Sequence, residues 1–222
     1  MIAIVDYNIG NVRSVQKAVE RAAADAGSQQ EVVLTGDPAT LLRADGVILP
    51  GVGAFGACVT NLRQAQLSSV VREVVVQGTP LLGICVGMQM LFEFSEEMGA
   101  WRGLGLLPGR VRRFEHKLST LSPPLSTLSP PLRVPQIGWN QLHPIRPDPL
   151  LASLGDGAFA YFVHSFYCDA ADPADVLATT DYGISYASVV QHGHIWGIQC
   201  HPEKSQQVGL RILRNFVALT QT

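Results

Sequence analysis

The stretch PLLGICVGMQMLF, from Pro80 to Phe92, decides the fold, because it passes from an apolar strand into a helix through a single cysteine. Cys85 stands between Gly83 and Gly87 in the pattern G-x-C-x-G, which has the form of a nucleophile elbow with Cys in place of Ser. At such an elbow the chain turns sharply, and larger residues two positions to either side would collide with neighbouring elements. The pattern predicts a nucleophilic Cys85 at the start of a helix. The alternative is a buried structural cysteine, the commonest fate of a free Cys.

Short apolar segments alternate with helical segments around this stretch. Before Gly103 the predicted strands are IAIVDY, EVVLT, GVILP and PLLGI, and the predicted helices are NVRSVQKAVERAA with Asn11 as its N-cap, CVTNLRQAQL, SSVVREVVVQ and GMQMLFEF. This alternation is typical of a parallel sheet covered by helices on both faces. After Gly103 the predicted strands are GRVRRF, FAYFVHSFY, ADVLATT, ISYASVVQHG and HIWGIQC, followed by a last helix, SQQVGLRILRNFVAL. The sequence therefore predicts one three-layer α/β domain over residues 1–222, with a mostly parallel central sheet and an antiparallel extension.

Composition excludes several classes of function. Of the 222 residues 47% are apolar and 15% charged, so the chain can bury a large core, and its net charge of -2 gives no footprint for nucleic acid or a membrane surface. The N-terminus MIAIVDYN has no basic region, so we expect no signal peptide. The four cysteines lie far apart without a CxxC pair, which argues against disulfides or a zinc site and favours the cytoplasm. We expect no metal and no cofactor.

A seven-residue unit, LSTLSPP, occurs twice in succession, at 118–124 and 125–131. Its paired prolines are incompatible with a helix or an interior strand. Two such short units cannot form a solenoid. The sequence therefore predicts a Pro/Ser-rich loop insertion at about residues 117–132, on the surface of the domain.

The letters HPE, from His201 to Glu203, offer the base and the orienting group that a nucleophilic thiol needs. In an extended segment, residues i and i+2 project to the same side, so Glu203 can hold one ring nitrogen of His201 while the other faces Cys85. The predicted strand HIWGIQC would carry the pair to the carboxyl edge of the sheet, where sites in open α/β folds lie. Taken alone, HPE is equally compatible with a turn that carries a surface histidine. Its combination with the elbow favours catalysis.

The letters GVGAFG, from Gly51 to Gly56, match the dinucleotide-binding pattern G-x-G-x-x-G. They follow the third predicted strand instead of the first, and the next strand ends at the elbow and not at an acidic residue for ribose. We therefore reject a dinucleotide site. Backbone N–H groups at Gly51 and Val52, with that of Val86, would instead form an oxyanion hole beside the nucleophile.

Six stretches along the chain carry a resemblance to a known family: DYNIGNVRSV, LPGVGAF, PLLGICVGMQ, VPQIGWN, YFVHSF and GIQCHPEKS. They resemble the class I, or triad-type, glutamine amidotransferases, and within these the glutaminase subunits of imidazole glycerol phosphate synthase. The elbow and HPE mark the superfamily, whereas DYNIGN, VPQIGWN and HPEKS mark the subunit. The resemblance implies the family's three-layer, flavodoxin-like α/β fold and a catalytic triad of Cys85, His201 and Glu203.

The resemblance also implies the site's ligands and partner. Glutamine would be held by five residues: Gly53, Gln89, His164, Ser165 and Phe166. Four residues would face a (β/α)8-barrel cyclase subunit in a heterodimer: Asn11, Trp139, Asn140 and Lys204. Ammonia from glutamine would pass to that cyclase, which converts a ribulosyl aminoimidazole carboxamide nucleotide into imidazole glycerol phosphate and aminoimidazole carboxamide ribotide in histidine biosynthesis.

Three features depart from the family pattern. Phe166 stands where the family often has Tyr, Cys200 replaces a more usual aromatic residue, and the LSTLSPP repeat has no expected counterpart. None of them touches the predicted triad. Three alternatives stay open: a glutaminase subunit of another synthase, a cysteine hydrolase of the same fold, and a non-catalytic binding subunit.

Overall fold

The computed structural model describes residues 1–114, 133–155 and 157–221, and within them thirteen strands join one continuous sheet. The strands are β1 (Ile2–Val5), β2 (Val32–Thr35), β3 (Gly46–Gly51), β4 (Leu81–Cys85), β5 (Phe92–Ser95), β6 (Trp101–Arg102), β7 (Leu107–Arg113), β8 (Gln136–Pro144), β9 (Ala158–His164), β10 (Phe166–Ala170), β11 (Val176–Asp181), β12 (Ser185–His192) and β13 (Ile195–Ile198). Five of them form a parallel centre in the order β2-β1-β3-β4-β13. From β12 onward the extension is mainly antiparallel, apart from the parallel pair β5–β7. The predicted sheet architecture is confirmed.

Helices cover this sheet in two groups. The α-helices are α1 (Val12–Asp25), α2 (Pro38–Leu42), α3 (Phe55–Gln64), α4 (Leu67–Val76), α5 (Val86–Leu91) and α6 (Gln206–Leu219), and short 3-10 helices span Pro149–Leu151, Pro173–Asp175 and Pro202–Lys204. Helix α1 packs against α6, whereas α3 and α2 pack against α4. Every residue of β1, β3, β4 and β13 is buried, as expected for parallel strands covered on both faces.

The predicted helix GMQMLFEF is wrong in its last three residues. Helix α5 ends at Leu91, and Phe92 begins strand β5. The reason is a long-range backbone contact: the N–H of Leu104 donates to the carbonyl of Met90 at 2.7 Å, and that of Leu106 donates to the carbonyl of Leu91 at 2.8 Å. These donors satisfy the last carbonyls of the helix and let the chain leave it.

Two further segments differ from the sequence prediction. The run FAYFVHSFY is not one strand, because it breaks at Ser165 between β9 and β10. The VPQIGWN motif, for which no strand was predicted, supplies Gln136–Asn140, the first five residues of β8, and these pair with β9. The LSTLSPP repeat falls within 115–132, outside the described residues, so its interpretation as a surface loop stays a prediction. No helix in the described part of the chain is long and apolar enough to cross a membrane.

Candidate active site

The elbow is built as the glycine pattern predicts. Cys85 ends β4 with φ 54° and ψ -114°, a strained conformation for a residue with a side chain, and it is only 3% exposed. A Cβ atom at Gly83 would lie 2.8 Å from the carbonyl oxygen of Gly87. A Cβ at Gly87 would collide with the carbonyl of Leu49 on β3. Both glycines are therefore required by the packing around the cysteine.

The backbone expected to form the oxyanion hole lies against the elbow. Gly51 is paired in register with Cys85, and a Cβ at Gly51 would lie 2.7 Å from the carbonyl carbon of Val86. The carbonyls on either side of Gly51 accept hydrogen bonds from buried side chains. The Tyr7 hydroxyl donates to the oxygen of Pro50 at 2.5 Å, and the Cys58 thiol donates to that of Val52 at 3.2 Å.

The helix that follows the GVGAFG segment has a carboxylate of the chain at its N-terminus. A dinucleotide would need the free N–H groups at the start of α3. The first of them, the N–H of Phe55, already donates to Oε2 of Glu97 at 2.6 Å. A carboxylate of the chain itself therefore occupies that position.

The predicted base and its orienting carboxylate meet in the structure. His201 Nδ1 lies 2.9 Å from Glu203 Oε1, and the two side chains are 5% and 3% exposed. The extended geometry expected for this pair is wrong, because residues Pro202–Lys204 form a 3-10 helix. Proline suits the first position of such a helix, and the N–H of Lys204 donates back to the carbonyl of His201 at 3.1 Å. The turn brings Glu203 within hydrogen-bonding distance of His201 Nδ1.

Ser205 fixes the backbone of His201 against β9. Its hydroxyl donates to the carbonyl of His201 at 2.6 Å and accepts from the N–H of Tyr161 at 2.9 Å. The N–H of His201 in turn donates to the carbonyl of Tyr161 at 2.9 Å. Three hydrogen bonds therefore hold the histidine in place.

The partners of His201 favour its protonated form. Burial opposes the charge, but the hydrogen bonds with Cys85 and Glu203 outweigh it and raise the pKa of His201 to about 10. Burial also opposes the charge on Glu203, yet its hydrogen bond from His201 lowers the pKa of this carboxyl. Since Glu203 holds Nδ1, the other ring nitrogen is the one that serves Cys85.

A cavity of about 470 Å³ opens beside the thiol and is large enough for an amino acid. Its lining includes eleven of the predicted site residues: Cys85, His201, Val86, Val52, Gly53, Gln89, His164, Ser165, Phe166, Asn11 and Lys204. Four predicted residues do not line it: Gly51, Glu203, Trp139 and Asn140. Glu203 lies behind His201, as an orienting group should.

Two residues near the thiol escaped the sequence predictions. Glu97 lines the cavity and is the only carboxylate among the described lining residues. Gln199 is fully buried, donates its Nε2 to Cys85 Sγ at 3.7 Å, and accepts from Nε2 of Gln89 at 3.1 Å. The signal for Gln199 was present in the sequence: a polar amide ends the apolar run HIWGI two positions before His201.

His164 is hydrogen-bonded to a backbone carbonyl in the lining of the cavity. Its Nδ1 lies 2.8 Å from the carbonyl oxygen of Phe166, and its Nε2 lies 3.2 Å from the hydroxyl of Tyr186. Burial lowers the pKa of His164 to about 4, so the ring is neutral. The same carbonyl of Phe166 accepts from Nε2 of Gln89 at 3.1 Å. The backbone of Phe166 makes these contacts, so the missing tyrosine hydroxyl does not affect them.

The residues expected to face a partner have different surroundings. Trp139 is 46% exposed and packs edge-on against Tyr161, whose ring lies 5.6 Å from Lys204 Nζ. Asn140 is engaged within the chain, because its Nδ2 donates to the carbonyl of Asp181 at 2.9 Å. Asn11 also has an internal partner, since its Nδ2 donates to Glu203 Oε1 at 3.0 Å.

The remaining cysteines are buried thiols, and one further histidine has a carboxylate partner. Cys58, Cys168 and Cys200 are buried, and burial raises the pKa of each thiol, to about 11 for Cys58 and about 12 for Cys200. His192 has a carboxylate partner that the sequence did not indicate, Asp175 at 2.8 Å. That pair lies where β13 begins, whereas Cys85 lies at the opposite edge of the sheet.

Comparison with known proteins agrees with the fold and shows the family. The family model for class-I glutamine amidotransferases matches residues 7–219, so the chain belongs to that family. Relatives named imidazole glycerol phosphate synthase subunit HisH match over nearly their whole length. The Salinibacter ruber protein is 45% identical over 222 residues (100% of this chain, 96% of the relative), and the Bacillus cereus G9842 protein is 44% identical over 221 residues (100% and 96%).

Solved structures are similar in fold. A crystal structure of a glutamine amidotransferase superposes with a TM-score of 0.71 at 20% identity, covering 100% of both chains. The PurLQS structure from Thermotoga maritima gives a TM-score of 0.65 at 17% identity, covering 99% of this chain and 96% of that chain. At these identities the similarity establishes the fold alone.

Proposed function

We propose that the chain is the glutaminase subunit of an imidazole glycerol phosphate synthase, with Cys85, His201 and Glu203 as its catalytic triad. The observation that carries the proposal is the strained Cys85 at the wall of an amino-acid-sized cavity that His201 also lines, with Glu203 2.9 Å from Nδ1 of that histidine. The relatives that match the whole chain at 44–45% identity support the synthase.

The first chemical step is attack on the substrate. The Cys85 thiolate adds to the side-chain carbonyl of glutamine and forms a tetrahedral intermediate. Backbone N–H groups of Val86 and of the Gly51–Val52 segment stabilise its oxyanion. His201 gives its proton to the amine, the C–N bond breaks, and ammonia leaves a glutamyl thioester on Cys85.

The second step restores the enzyme. His201, now neutral, takes a proton from water, and the hydroxide attacks the thioester carbonyl. The C–S bond breaks, glutamate forms, and the proton returns the Cys85–His201 pair to its resting state. The sum of both steps is glutamine plus water giving glutamate plus ammonia.

Substrate contacts follow from the lining of the cavity. Gln89 and the backbone at Gly53, Ser165 and Phe166 surround the space next to the thiol. Glu97 is placed to pair with the α-ammonium group of glutamine. His164 has a supporting role, because its ring bonds to the carbonyl of Phe166.

The ammonia must reach a second active site before it meets bulk water, where it is protonated and no longer nucleophilic at neutral pH. We assign the acceptor site to a (β/α)8-barrel cyclase subunit bound over Trp139 and Lys204, with Asn11 and Asn140 at the same interface. The exposed Trp139 ring, packed against Tyr161, is an aromatic side chain of the kind enriched at protein interfaces. The cyclase then makes imidazole glycerol phosphate and aminoimidazole carboxamide ribotide.

Coexpression with such a cyclase tests the proposal. We expect the two chains to copurify in a one-to-one ratio and to release one glutamate for each imidazole glycerol phosphate formed. A chain that binds no cyclase and releases no glutamate from glutamine would overturn it. Release of glutamate without any cyclase binding would keep the glutaminase and reject the synthase.

A further inference from the structure

We propose that Gln199 is a positioning residue for glutamine hydrolysis: through one amide it orients the Cys85 sulfur and sets which atom of Gln89 faces the substrate. The inference rests on the proposed glutaminase function. It concerns a residue that does not itself line the cavity, yet is hydrogen-bonded to two residues that do, Cys85 and Gln89.

The first link joins Gln199 to the nucleophile. Its Nε2 lies 3.7 Å from Cys85 Sγ, within the range for an N–H···S hydrogen bond. A thiolate can only accept, so the amide must turn its NH2 group toward the sulfur. In the fully buried position of Gln199, where water does not compete, this donor stabilises the charged sulfur and fixes its direction.

The second link follows from the first. With NH2 committed to the sulfur, the Oε1 of Gln199 points away and accepts from Nε2 of Gln89 at 3.1 Å. The same Nε2 also donates to the carbonyl of Phe166 at 3.1 Å. An amide nitrogen has two hydrogens, so both donors of Gln89 are used within the protein.

Gln89 is consequently left with one polar atom for the substrate, the acceptor Oε1. A flipped Gln89 would set its oxygen against the oxygens of both Phe166 and Gln199, which is unfavourable at each end. The cavity therefore presents an acceptor at this point, and the group of glutamine that meets it bears N–H. Glutamine has two such groups, the carboxamide and the α-ammonium.

The carbonyl of Phe166 is itself held by His164, whose Nδ1 lies 2.8 Å away. Because a carbonyl oxygen only accepts, His164 gives its Nδ1 proton to it, while its Nε2 lies 3.2 Å from the hydroxyl of Tyr186, which itself donates to Oε1 of Gln136 at 3.0 Å. The orientation of Gln89 is therefore fixed from two sides, by Gln199 and by this second chain of hydrogen bonds.

The test compares three variants in the complex with the cyclase. Gln199→Met keeps the length of the side chain and removes both hydrogen bonds. We expect kcat for glutamine to fall about tenfold or more, KM to rise severalfold, and alkylation of Cys85 by iodoacetamide at pH 7 to slow, in line with the loss of hydrogen bonds to a charged group. Gln89→Met should raise KM and leave the alkylation rate unchanged.

Gln199→Glu separates the two links and covers the case in which the Met variant does not fold. Its carboxylate still accepts from Gln89 but gives the sulfur no donor, so KM should stay near that of the unmodified chain while kcat and alkylation fall. Ser188→Ala is the matched control, because it removes another buried hydrogen bond, on the neighbouring strand β12. It should change neither the kinetic constants for glutamine nor the alkylation rate.

Two analogues identify the N–H group that meets Gln89. Glutamate lacks the carboxamide hydrogens, and glutaramic acid lacks the α-ammonium. The analogue without the relevant donor should bind the Gln199→Met variant as well as the unmodified chain, and the other should bind more weakly. Equal weakening of both analogues would contradict the assigned polarity of Gln89.

The proposal would be overturned if Gln199→Met had kcat, KM and an alkylation rate within twofold of those of the unmodified chain. Glutamate release by the unmodified complex would in that case still support the glutaminase function.

Discussion

Asn11 and His201 bond to the same carboxylate oxygen. Asn11 Nδ2 donates to Glu203 Oε1 at 3.0 Å, and His201 Nδ1 lies 2.9 Å from that atom. Asn11 stands at the N-cap position of α1, as predicted, but in a left-handed conformation with φ 61° and without capping the helix by its side chain. Its amide is used instead to hold the carboxylate that orients the histidine. The other oxygen, Glu203 Oε2, is buried without a hydrogen-bond partner among the described residues.

Replacing Asn11 should therefore weaken catalysis through Glu203. Asn11→Ala removes one hydrogen bond to an ionised group, and we expect kcat for glutamine to fall about three- to tenfold. Asn11→Asp should fall further, because it places a second carboxylate beside Glu203. Asn61→Ala, which loses a side-chain bond to the backbone of Asn8 at the surface, is the control. If Asn11→Asp matched the unmodified chain, the contact would have no catalytic role.

His201 and Glu203 should differ in what their loss costs. His201→Ala removes the group that moves both protons, and general acid–base catalysis typically contributes about 10²–10⁴-fold. Glu203→Gln keeps an oxygen for Nδ1 and loses only the charge, so it should retain more activity while the pKa of His201 falls below its value of about 10. Steady-state glutamate release by each complex measures this. Normal turnover by His201→Ala would reject His201 as the base.

The elbow and the His201–Glu203 pair could be predicted from sequence, because each depends on residues close together in the chain, and the parallel centre could be predicted from the alternation of short apolar strands with helices. Features that depend on distant contacts could not. Phe92 was expected to continue a helix, since an apolar run does not distinguish helix from strand, and the backbone of residues 104–106 decides the outcome. Asn11 and Glu203 are far apart in sequence, and neither residue's neighbours indicate their hydrogen bond.

The buried His164 should make the protein less stable in mild acid. Burial lowers its pKa from 6.5 to about 4, so between these values the unfolded chain binds a proton that the folded chain does not. The free energy of unfolding then falls as the pH drops, and this group alone accounts for roughly 2–3 kcal/mol by pH 4.5. Urea unfolding at pH 7 and pH 4.5 should show a smaller loss for His164→Gln than for the unmodified chain. Equal losses would refute the buried neutral histidine.

Trp139 should anchor the cyclase. It is 46% exposed, and exposed tryptophans on strands often supply much of an interface's binding energy. We expect Trp139→Ala to weaken the complex at least about tenfold, as measured by calorimetric titration of the cyclase. Phe94→Ala is a matched control, since Phe94 is 45% exposed on β5, away from β8 and β9. Equal effects of the two changes would remove Trp139 from the interface.

The most direct test of the account is the source of nitrogen used by a complex that carries Cys85→Ala. Cys85 is assigned to amide hydrolysis alone, so synthesis of imidazole glycerol phosphate from glutamine should be abolished. Synthesis from added ammonia, which bypasses the thiol, should stay within about twofold of the unmodified complex, because it needs none of the acid–base or covalent steps at Cys85. Continued synthesis from glutamine, or loss of both activities in a correctly assembled complex, would contradict the central role assigned to Cys85.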